Sequence, residues 1–415
     1  MSKNHTQESD ARTVIFEELE GWVRRQIQEW LQQLLEEEVT EVLGRRKSER
    51  RKGIDGPEGY RNGYGKTRRL TLSSGTITVR RPRVRELEER FESRILPLFS
   101  RRTKEVGDLI PELYLHGLSR GDFELALRGL LGDGAPLSES TVDRLKTKWQ
   151  GEYEGWRSRR LDDLEVVYVW VDGVYVKAGL EREKACILVV LAGLSDGRRV
   201  FLAVEAGYRE SIESWSGVIR DLRARGLRTP RLVIGDGNLG IWGAIRNVWP
   251  EVDEQRCWNH RIINILAKIP SKKLQAQARL LLKQIPYAET LKEAERLKRA
   301  FQSWCRKRGL GDAALLIDKD WEQMVTFYRY PREHWRHLRT TNPLESPFSA
   351  VRIRTNASRR YKKVESATSV IWKTLMVAEK RFRKLSAPEL LKEVYEGANY
   401  KDGIKVKDIQ KEAAA

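Results

Sequence analysis

The chain is short of several things, and each shortage narrows what it can be. Three cysteines occur in 415 residues (Cys186, Cys257 and Cys305), widely spaced, so no disulfide framework is implied and a reducing compartment fits. There is no close Cys-x-x-Cys pair, the usual half of a structural zinc motif. The longest apolar run, ACILVVLAGL, is far too short to span a bilayer. The polar opening, MSKNHTQESDARTV, lacks the apolar region of a secretion signal. Together these absences predict a soluble intracellular protein without internal repeats. What the chain has in excess is cations. Lys+Arg number 78 against Asp+Glu 59, a formal +19 with a pI near 9.8. That balance favours a polyanionic partner, most simply nucleic acid, although charge alone does not separate DNA from RNA or a membrane surface.

The length suits two to four domains with real cores. Residues 12–43 place Phe16, Leu19, Val23, Trp30 and Leu34 at helical spacing, which reads as a packing or dimerisation helix. A basic run, Arg45 to Lys52, ends at the Gly/Pro-rich GIDGPEG. Residues 66–85, KTRRLTLSSGTITVRRPRVR, read as a β-hairpin turning at Ser73-Ser74-Gly75. Leu70, Leu72, Ile77 and Val79 are its apolar positions, and Arg68, Arg69, Arg80, Arg81, Arg83 and Arg85 crowd its strand ends, more cations than solubility needs. Residues 102–158 look helical with a break at GDGAPLSEST; Ser138 is a candidate N-cap, with Val142, Leu145 and Trp149 following at helical spacing. Helix, turn, capped helix is compatible with a helix-turn-helix reading a major groove, and equally with any small helical bundle.

From Glu165 to His260 the periodicity changes. EVVYVWVDGVYVK, ACILVVLAGL and the run after Asp196-Gly197 read as three consecutive strands, followed by a helix, the apolar strand RLVIGD, a second helix and a short fifth strand ending QRCWNH. Three antiparallel strands and then alternating helices and strands are the order of a ribonuclease H-like sheet. Asp196-Gly197 reads as a plain turn. Asp172-Gly173 is either a hairpin turn or, with the turn near Ala178–Glu183, part of a long first strand; balanced strand lengths favour the second. Asp236 ends a strand of the kind buried in a parallel sheet, where α/β sites form, or caps the helix that follows.

Residues 261–335 are strongly helical, with Leu291, Ala294, Leu297, Phe301 and Trp304 on one face. Asn342-Pro343-Leu344-Glu345 reads as a capping box, which would occupy the Glu345 carboxylate. Alternatively Leu344, Phe348 and Val351 form a buried face and Glu345, Ser349 and Arg352 lie opposite, free for chemistry. Residues 351–385 hold eleven Lys/Arg against two Glu, and Arg352, Arg354, Arg359, Arg360, Lys362 and Lys363 are candidate DNA contacts with Arg68, Arg69, Arg80, Arg81 and Arg83. Trp335 is either a base-stacking platform or a core residue. Cys257-x-x-His260 with His334-x-x-His337 makes four conceivable zinc ligands on two elements. The tail KDGIKVKDIQKEAAA reads as disordered.

The stretches YRNGY…LTLSSGTITVRRPR, VDGVYVK, VIGDGNLG, QRCWNHRI and HWRHLRTTNPLES together resemble the Mutator-type bacterial insertion-sequence transposases, a family of DDE enzymes, over most of the chain. The resemblance implies an α/β fold: a ribonuclease H-like catalytic core with an all-α insertion, plus a mainly helical N-terminal DNA-binding region containing a β-hairpin. It divides the chain into 1–52 (helical and basic), 53–100 (hairpin), 101–160 (helical, possible helix-turn-helix), 161–265 (first part of the core), 266–335 (insertion), 336–395 (core completion) and 396–415 (disordered tail). It implies a catalytic, metal-binding triad of Asp172, Asp236 and Glu345, separated by 64 and 109 positions, with Cys257 and His260 as a supporting motif. Many members carry Asn three residues after the Glu, where this chain has Phe348. The implied cofactor is Mg²⁺, replaceable by Mn²⁺, since two hard cations about 3.5–4 Å apart serve phosphodiester cutting and joining. The implied partners are double-stranded DNA (terminal inverted repeats and target) and further copies of the chain, with no membrane, in the bacterial cytoplasm at the nucleoid. Two other functions fit the same residues: a DNA-binding derivative with an inactive core, and a ribonuclease H-like nuclease that does not join strands.

Overall fold

A computed structural model describes residues 16–51, 58–119, 121–132, 139–179, 184–207, 209–237, 239–358 and 360–406. The chain falls into two units, Met1–Leu145 and Lys146–Ala415. Among the described residues no helix is long and apolar enough to cross a membrane.

In the first unit, α1 (Leu19–Leu43) is followed by β1 (Tyr60–Tyr64), β2 (Arg68–Leu72), β3 (Gly75–Val79) and β4 (Pro82–Arg85). β2 and β3 form the expected hairpin, Leu72 opposite Gly75 across Ser73-Ser74, while β1 pairs with β4. Leu70, Ile77 and Val79 join Leu35 and Leu96 in a small core. The buried side of α1 is Leu35, Glu38, Val39 and Leu43, and Phe16, Leu19 and Trp30 stand exposed, Trp30 at 63%. The stripe expected from apolar spacing is therefore not the packed one. The side chains that orient α1 are polar: Arg24 Nε donates to Ser74 O, Gln28 Oε1 accepts from Thr78 N, and Gln32 exchanges two bonds with the Arg80 backbone, all at 2.9 Å. Spaced one turn apart, they satisfy the open edge of β3, which would otherwise invite pairing with another strand. Then come α2 (Lys104–Leu115), α3 (Phe123–Leu131) and α4 (Glu139–Arg157), the last crossing into the second unit, which begins at Lys146; Val142 and Trp149, at the expected helical spacing, are buried. The candidate cap Ser138 lies outside the described residues.

The second unit is built on one sheet. β5 (Val166–Val176), β6 (Ala185–Leu194) and β7 (Arg199–Gly207) run antiparallel; α5 (Ile212–Ala224), β8 (Leu232–Gly235), α6 (Leu239–Val248) and β9 (Asp253–Arg256) follow, giving the order β7-β6-β5-β8-β9 with β8 parallel to both β5 and β9. β5 and β6 read as unbroken apolar runs because both faces are covered. On one face Val169, Val171, Leu188 and Val190 pack with Trp215, Ile219, Trp242 and Ile245 of α5 and α6. By strand alternation the other face carries Tyr168, Trp170 and Asp172. The chain continues through α7 (Trp258–Ala267), α8 (Lys272–Gln284), α9 (Leu291–Arg306), α10 (Gly311–Leu316), α11 (Trp321–Met324), α12 (Trp335–Leu338), α13 (Asn342–Asn356), α14 (Val364–Glu379) and α15 (Pro388–Tyr395). α13 packs on β5 and α14 on β7, closing that second face.

The disordered tail is corrected over its first part. Tyr400–Lys401 and Ile404–Lys405 pair as a two-stranded hairpin, β10 and β11. Asp402 and Gly403 both have positive φ, 49° and 79°, the geometry that an Asp-Gly hairpin turn requires. Asp402 Oδ1 caps α9 by accepting from Leu291 N at 2.7 Å. Residues 407–415 lie outside the described residues.

Candidate active site

Asp172 sits in mid-strand, opposite Val189 of β6, and not in a turn; the expected reversal falls beyond Gly179, partly at residues outside those described. On its other side β5 runs parallel to β8 in the register Tyr168↔Leu232 and Trp170↔Ile234. Asp236 directly follows the last residue of β8, and the same register, continued past the strand end, brings it toward Asp172, close enough for its charge to act on that carboxyl. Asp236 is fixed by its neighbours: Trp242 Nε1 donates to Asp236 O at 2.8 Å, and Cys257 N donates to Gly235 O at 2.7 Å.

Glu345 lies in the first turn of α13, half-buried, on the helix that covers the Asp172 face. The capping box does not form. The residue ahead of the helix is Thr341, no side chain caps it, and Asn342 and Pro343 are already inside. The two polar side chains are used elsewhere. Thr341 donates through N and Oγ1 to Cys257 Sγ, at 3.3 and 3.4 Å, and Asn342 Oδ1 accepts from Asn259 Nδ2 at 2.8 Å. Trp258 N also donates to Arg339 O at 3.0 Å. The start of α13 is thereby fastened to the start of α7, whose preceding residue, Cys257, is itself bonded to the strand that carries Asp236. Leu344, Phe348 and Val351 are buried while Ser349 and Arg352 are exposed, as the helical spacing predicts.

The electrostatics bring Asp172, Asp236, Glu210 and His260 within reach of one another's charge. Burial pushes the Asp172 carboxyl up to about 7; the charges of Asp236 and Glu210 add to it, while the Gly173 N–H and His260 oppose it. The hydrogen bond of Cys257 pushes His260 up to about 9 against the effect of burial, with the charges of Asp172 and Asp236 acting in the same direction. Cys257 is nearly fully buried, which alone raises a thiol, yet His260 and Thr341 draw it below its ordinary value. Cys257 and His260 therefore form a polarised pair facing the acids.

Glu210 is the acid that sequence reasoning missed. It lies between β7 and α5. A Cβ on Gly173 would meet its Oε1 at 2.6 Å, and one on Gly240 would meet its backbone O at 1.9 Å. The glycines of VDG and NLG thus make room for the segment bearing Glu210, a signal visible only once the two motifs are known to be neighbours.

Other expected residues resolve differently. Trp335 is 2% exposed, donates to Tyr330 O at 2.8 Å and packs edge-on against Phe327 and Tyr328, so it is a core residue and not a stacking platform. Arg354 is 1% exposed and bonded to Ser358 Oγ at 2.9 Å; a cation on the buried side of α13 is not a phosphate contact. Arg352, Lys362 and Lys363 are exposed, as is Arg360, which donates to Gly179 O; Arg359 lies outside the described residues. Of the hairpin cations, Arg69, Arg80 and Arg83 are exposed and Arg68 and Arg81 half-buried. The four-ligand zinc arrangement does not assemble: His334 bonds Tyr168 Oη and Ala387 O, and His337 bonds Ser386. Among the described residues no three His, Cys, Asp or Glu side chains are drawn together closely enough to hold a metal ion.

Comparison with known proteins gives the same direction as the motifs. Residues 1–384 match the family described as "Transposase, Mutator family". The chain is 42% identical over 298 residues to the transposase for insertion sequence element IS6120 of Mycolicibacterium smegmatis, covering 72% of this chain and 92% of that one. It is 37% identical over 281 residues to that for IST2 of Acidithiobacillus ferrooxidans, covering 67% and 94%. A solved structure, the Drosophila P element transposase strand transfer complex, covers 69% of this chain and 84% of that chain at 10% identity. Its TM-score of 0.27 is too low to bear on the fold. The family match spans both units and every acid considered above, and the chain belongs to the Mutator family of transposases.

Proposed function

We propose that the chain is a DDE-type transposase with a ribonuclease H-like core, in which Asp172, Asp236 and Glu345 bind Mg²⁺ and cut and join DNA at the terminal inverted repeats of its element. The observation that carries this reading is the shared register of Asp172 and Asp236 under a helix whose first turn presents Glu345. Strand order, with three antiparallel strands followed by two parallel additions, supports the ribonuclease H-like assignment.

In chemical type the donor set suits the cation, which would have to draw together side chains that stand apart in the chain alone. All three groups are carboxylates, and hard Mg²⁺ takes oxygen ligands while keeping several waters, so few protein ligands suffice. A carboxyl raised to about 7 by burial and by neighbouring acids is one whose ionised form a divalent cation would favour. When bound, Mg²⁺ would activate the attacking oxygen and stabilise the leaving one. The chain's own contribution is placement. β5 and β8 hold two acids in register, and the Thr341–Cys257 and Asn342–Asn259 bonds set the height of the third. His260, kept cationic by Cys257, lies within electrostatic reach of the acids and offers a positive charge to a phosphate arriving there. Exposed Arg352, Lys362 and Lys363 in the second unit, and separately the exposed hairpin cations of the first, would meet DNA mostly as phosphate contacts. Two copies of the chain, one for each element end, make the simplest assembly.

The test is incubation of the full-length protein with labelled duplexes from its own element ends and Mg²⁺, beside Glu345→Ala. Nicking and strand transfer that vanish in the variant support the reading. Binding without nicking points to an inactive derivative, nicking without joining to a plain nuclease, and nicking that survives Glu345→Ala removes that residue from the triad.

A further inference from the structure

The first unit holds a cavity of about 730 Å³ that the acid site does not use, enclosed by the ends of β2 and β4, the segment after β4 and residues 98–101. Lys66, Arg68, Arg81, Arg83, Arg85, Arg90 and Arg101 line it, against two acids, Glu86 and Glu89. The cations crowd one another. Burial and the charges of Arg81 and Arg101 hold the Arg68 guanidinium below its ordinary value, a strain that an entering anion would relieve. Arg68 donates to Ser100 O and Arg81 to Phe91 O, so both guanidiniums are held in place at the wall.

The same walls carry aromatic surface. Arg81 lies over the Phe91 ring at 5.9 Å. Phe99 is 84% exposed, and its backbone sits at φ 72°, a region that bulky residues rarely adopt. Neither burial nor backbone preference accounts for a phenyl ring there. Duplex backbone alone would need only an open cationic surface. A concave site of this volume is in the range of ligand pockets, about 300–1,000 Å³. It joins fixed guanidiniums, which match phosphate oxygens, to rings on which any base can stack.

We propose that this cavity receives one unpaired nucleotide of a DNA strand, its phosphate on the arginines and its base against Phe99. The proposal rests on the reading of the chain as a DNA-acting transposase and adds a site at which a base leaves the duplex. An unpaired base has already lost its stacking partner, so it pays least for entry.

The test uses the full-length protein in EDTA, which prevents cleavage, with two 30-base-pair duplexes from the element end. One is fully paired; the other carries a single bulged 2-aminopurine. The bulged duplex is expected to bind about tenfold or more tightly, with a change in 2-aminopurine fluorescence. Phe99→Gly should erase that preference while the paired duplex keeps its affinity and the melting temperature holds or rises, because glycine accepts φ 72°. Arg68→Gln should lower the salt dependence of binding by about one counterion for the bulged duplex. Equal affinity for the two duplexes, or a preference that survives Phe99→Gly, overturns the pocket and leaves the transposase reading intact. Failure to bind either duplex overturns that underlying reading as well.

Discussion

The two units solve opposite problems. In the second, a five-stranded sheet is covered on both faces, and even its polar side chains are committed inward: His334 to Tyr168, Thr341 to Cys257, Trp242 to Asp236. In the first, the core around the hairpin is a handful of aliphatic residues, and α1 is held to β3 by glutamine and arginine side chains. Many of its cations, Arg69, Arg80 and Arg83 among them, are exposed, and others line a cavity. Placing carboxylates for chemistry needs rigid elements and tight supporting contacts, whereas meeting a polyanion needs charge on surfaces that can adjust. If that division is real, chemistry and DNA binding should be separable by mutation.

The sharpest break comes at the acids. Asp172→Asn, Asp236→Asn or Glu345→Ala should lower Mg²⁺-dependent cleavage by about 10²–10³-fold or more, with duplex affinity in EDTA unchanged. Loss of affinity equal to the loss of cleavage would mean that the acids shape the fold and not the reaction. Next is the fastening between α7 and α13. Cys257→Ala removes the sulfur that accepts from Thr341, and Thr341→Val removes one of its donors. Each should cost about 10–100-fold in cleavage, the scale of supporting contacts at metal sites. The double variant should be little worse than the singles, since both act on one contact. Additive losses in a quantitative nicking assay would show that Cys257 and Thr341 act separately. A third comparison lies within α13. Arg352→Ala should weaken binding modestly and reduce its salt dependence by about one counterion. Arg354→Ala should leave the salt dependence alone and cost about 1–3 kcal/mol of stability through lost buried hydrogen bonding, read by thermal melting.

Much of the second unit was legible because its signals are local and strong. Apolar runs in β5, β6 and β8 and the Asp196-Gly197 turn predict the sheet, and the distance from Asp172 to Ala185 leaves room for a mid-strand acid. The motifs located Asp236, Cys257 and His260. Glu345 was ambiguous because Asn342, Pro343 and Glu345 satisfy the capping-box pattern on their own. Only the tertiary bonds from Thr341 and Asn342 to α7 show that the box is not made. Glu210 was invisible, since its place depends on two glycines that meet across the fold. α1 misled in part: Phe16, Leu19 and Trp30 of the expected stripe are exposed while Leu35, Val39 and Leu43 pack, and hydrogen bonds of Gln28 and Gln32, which the periodicity of apolar side chains does not register, help to orient it. The Asp402-Gly403 turn was in plain sight, but its cationic surroundings resemble a disordered tail.

The smallest expected effect concerns pH and belongs to the second unit. Burial, with the nearby charges of Arg336 and Arg199, holds His337 down to about 4, and burial lowers His334 as well. Unfolded, these imidazoles take up protons near their ordinary value of about 6.5; folded, both are held below it, His337 to about 4. The contribution of His337 is therefore fully present above pH 6.5 and is lost as pH falls from there toward 4. For His337, which is partly accessible, the loss between pH 7 and pH 5 should be on the order of 1 kcal/mol. His337→Gln can still meet Ser386 and carries no titrating proton, so its melting temperature should fall less steeply over that interval than that of the native chain. The acids oppose this trend, because Asp172, raised to about 7, is relieved by protonation as the pH drops. Asp172→Asn removes that relief. Its melting temperature should stand above the native value at pH 7 and lose the advantage toward pH 5, while the His337→Gln difference widens over the same range. Two slopes of opposite sign would show that His337 and the Asp172 carboxyl titrate independently within one unit. Parallel slopes would mean that the pH response arises elsewhere in the chain.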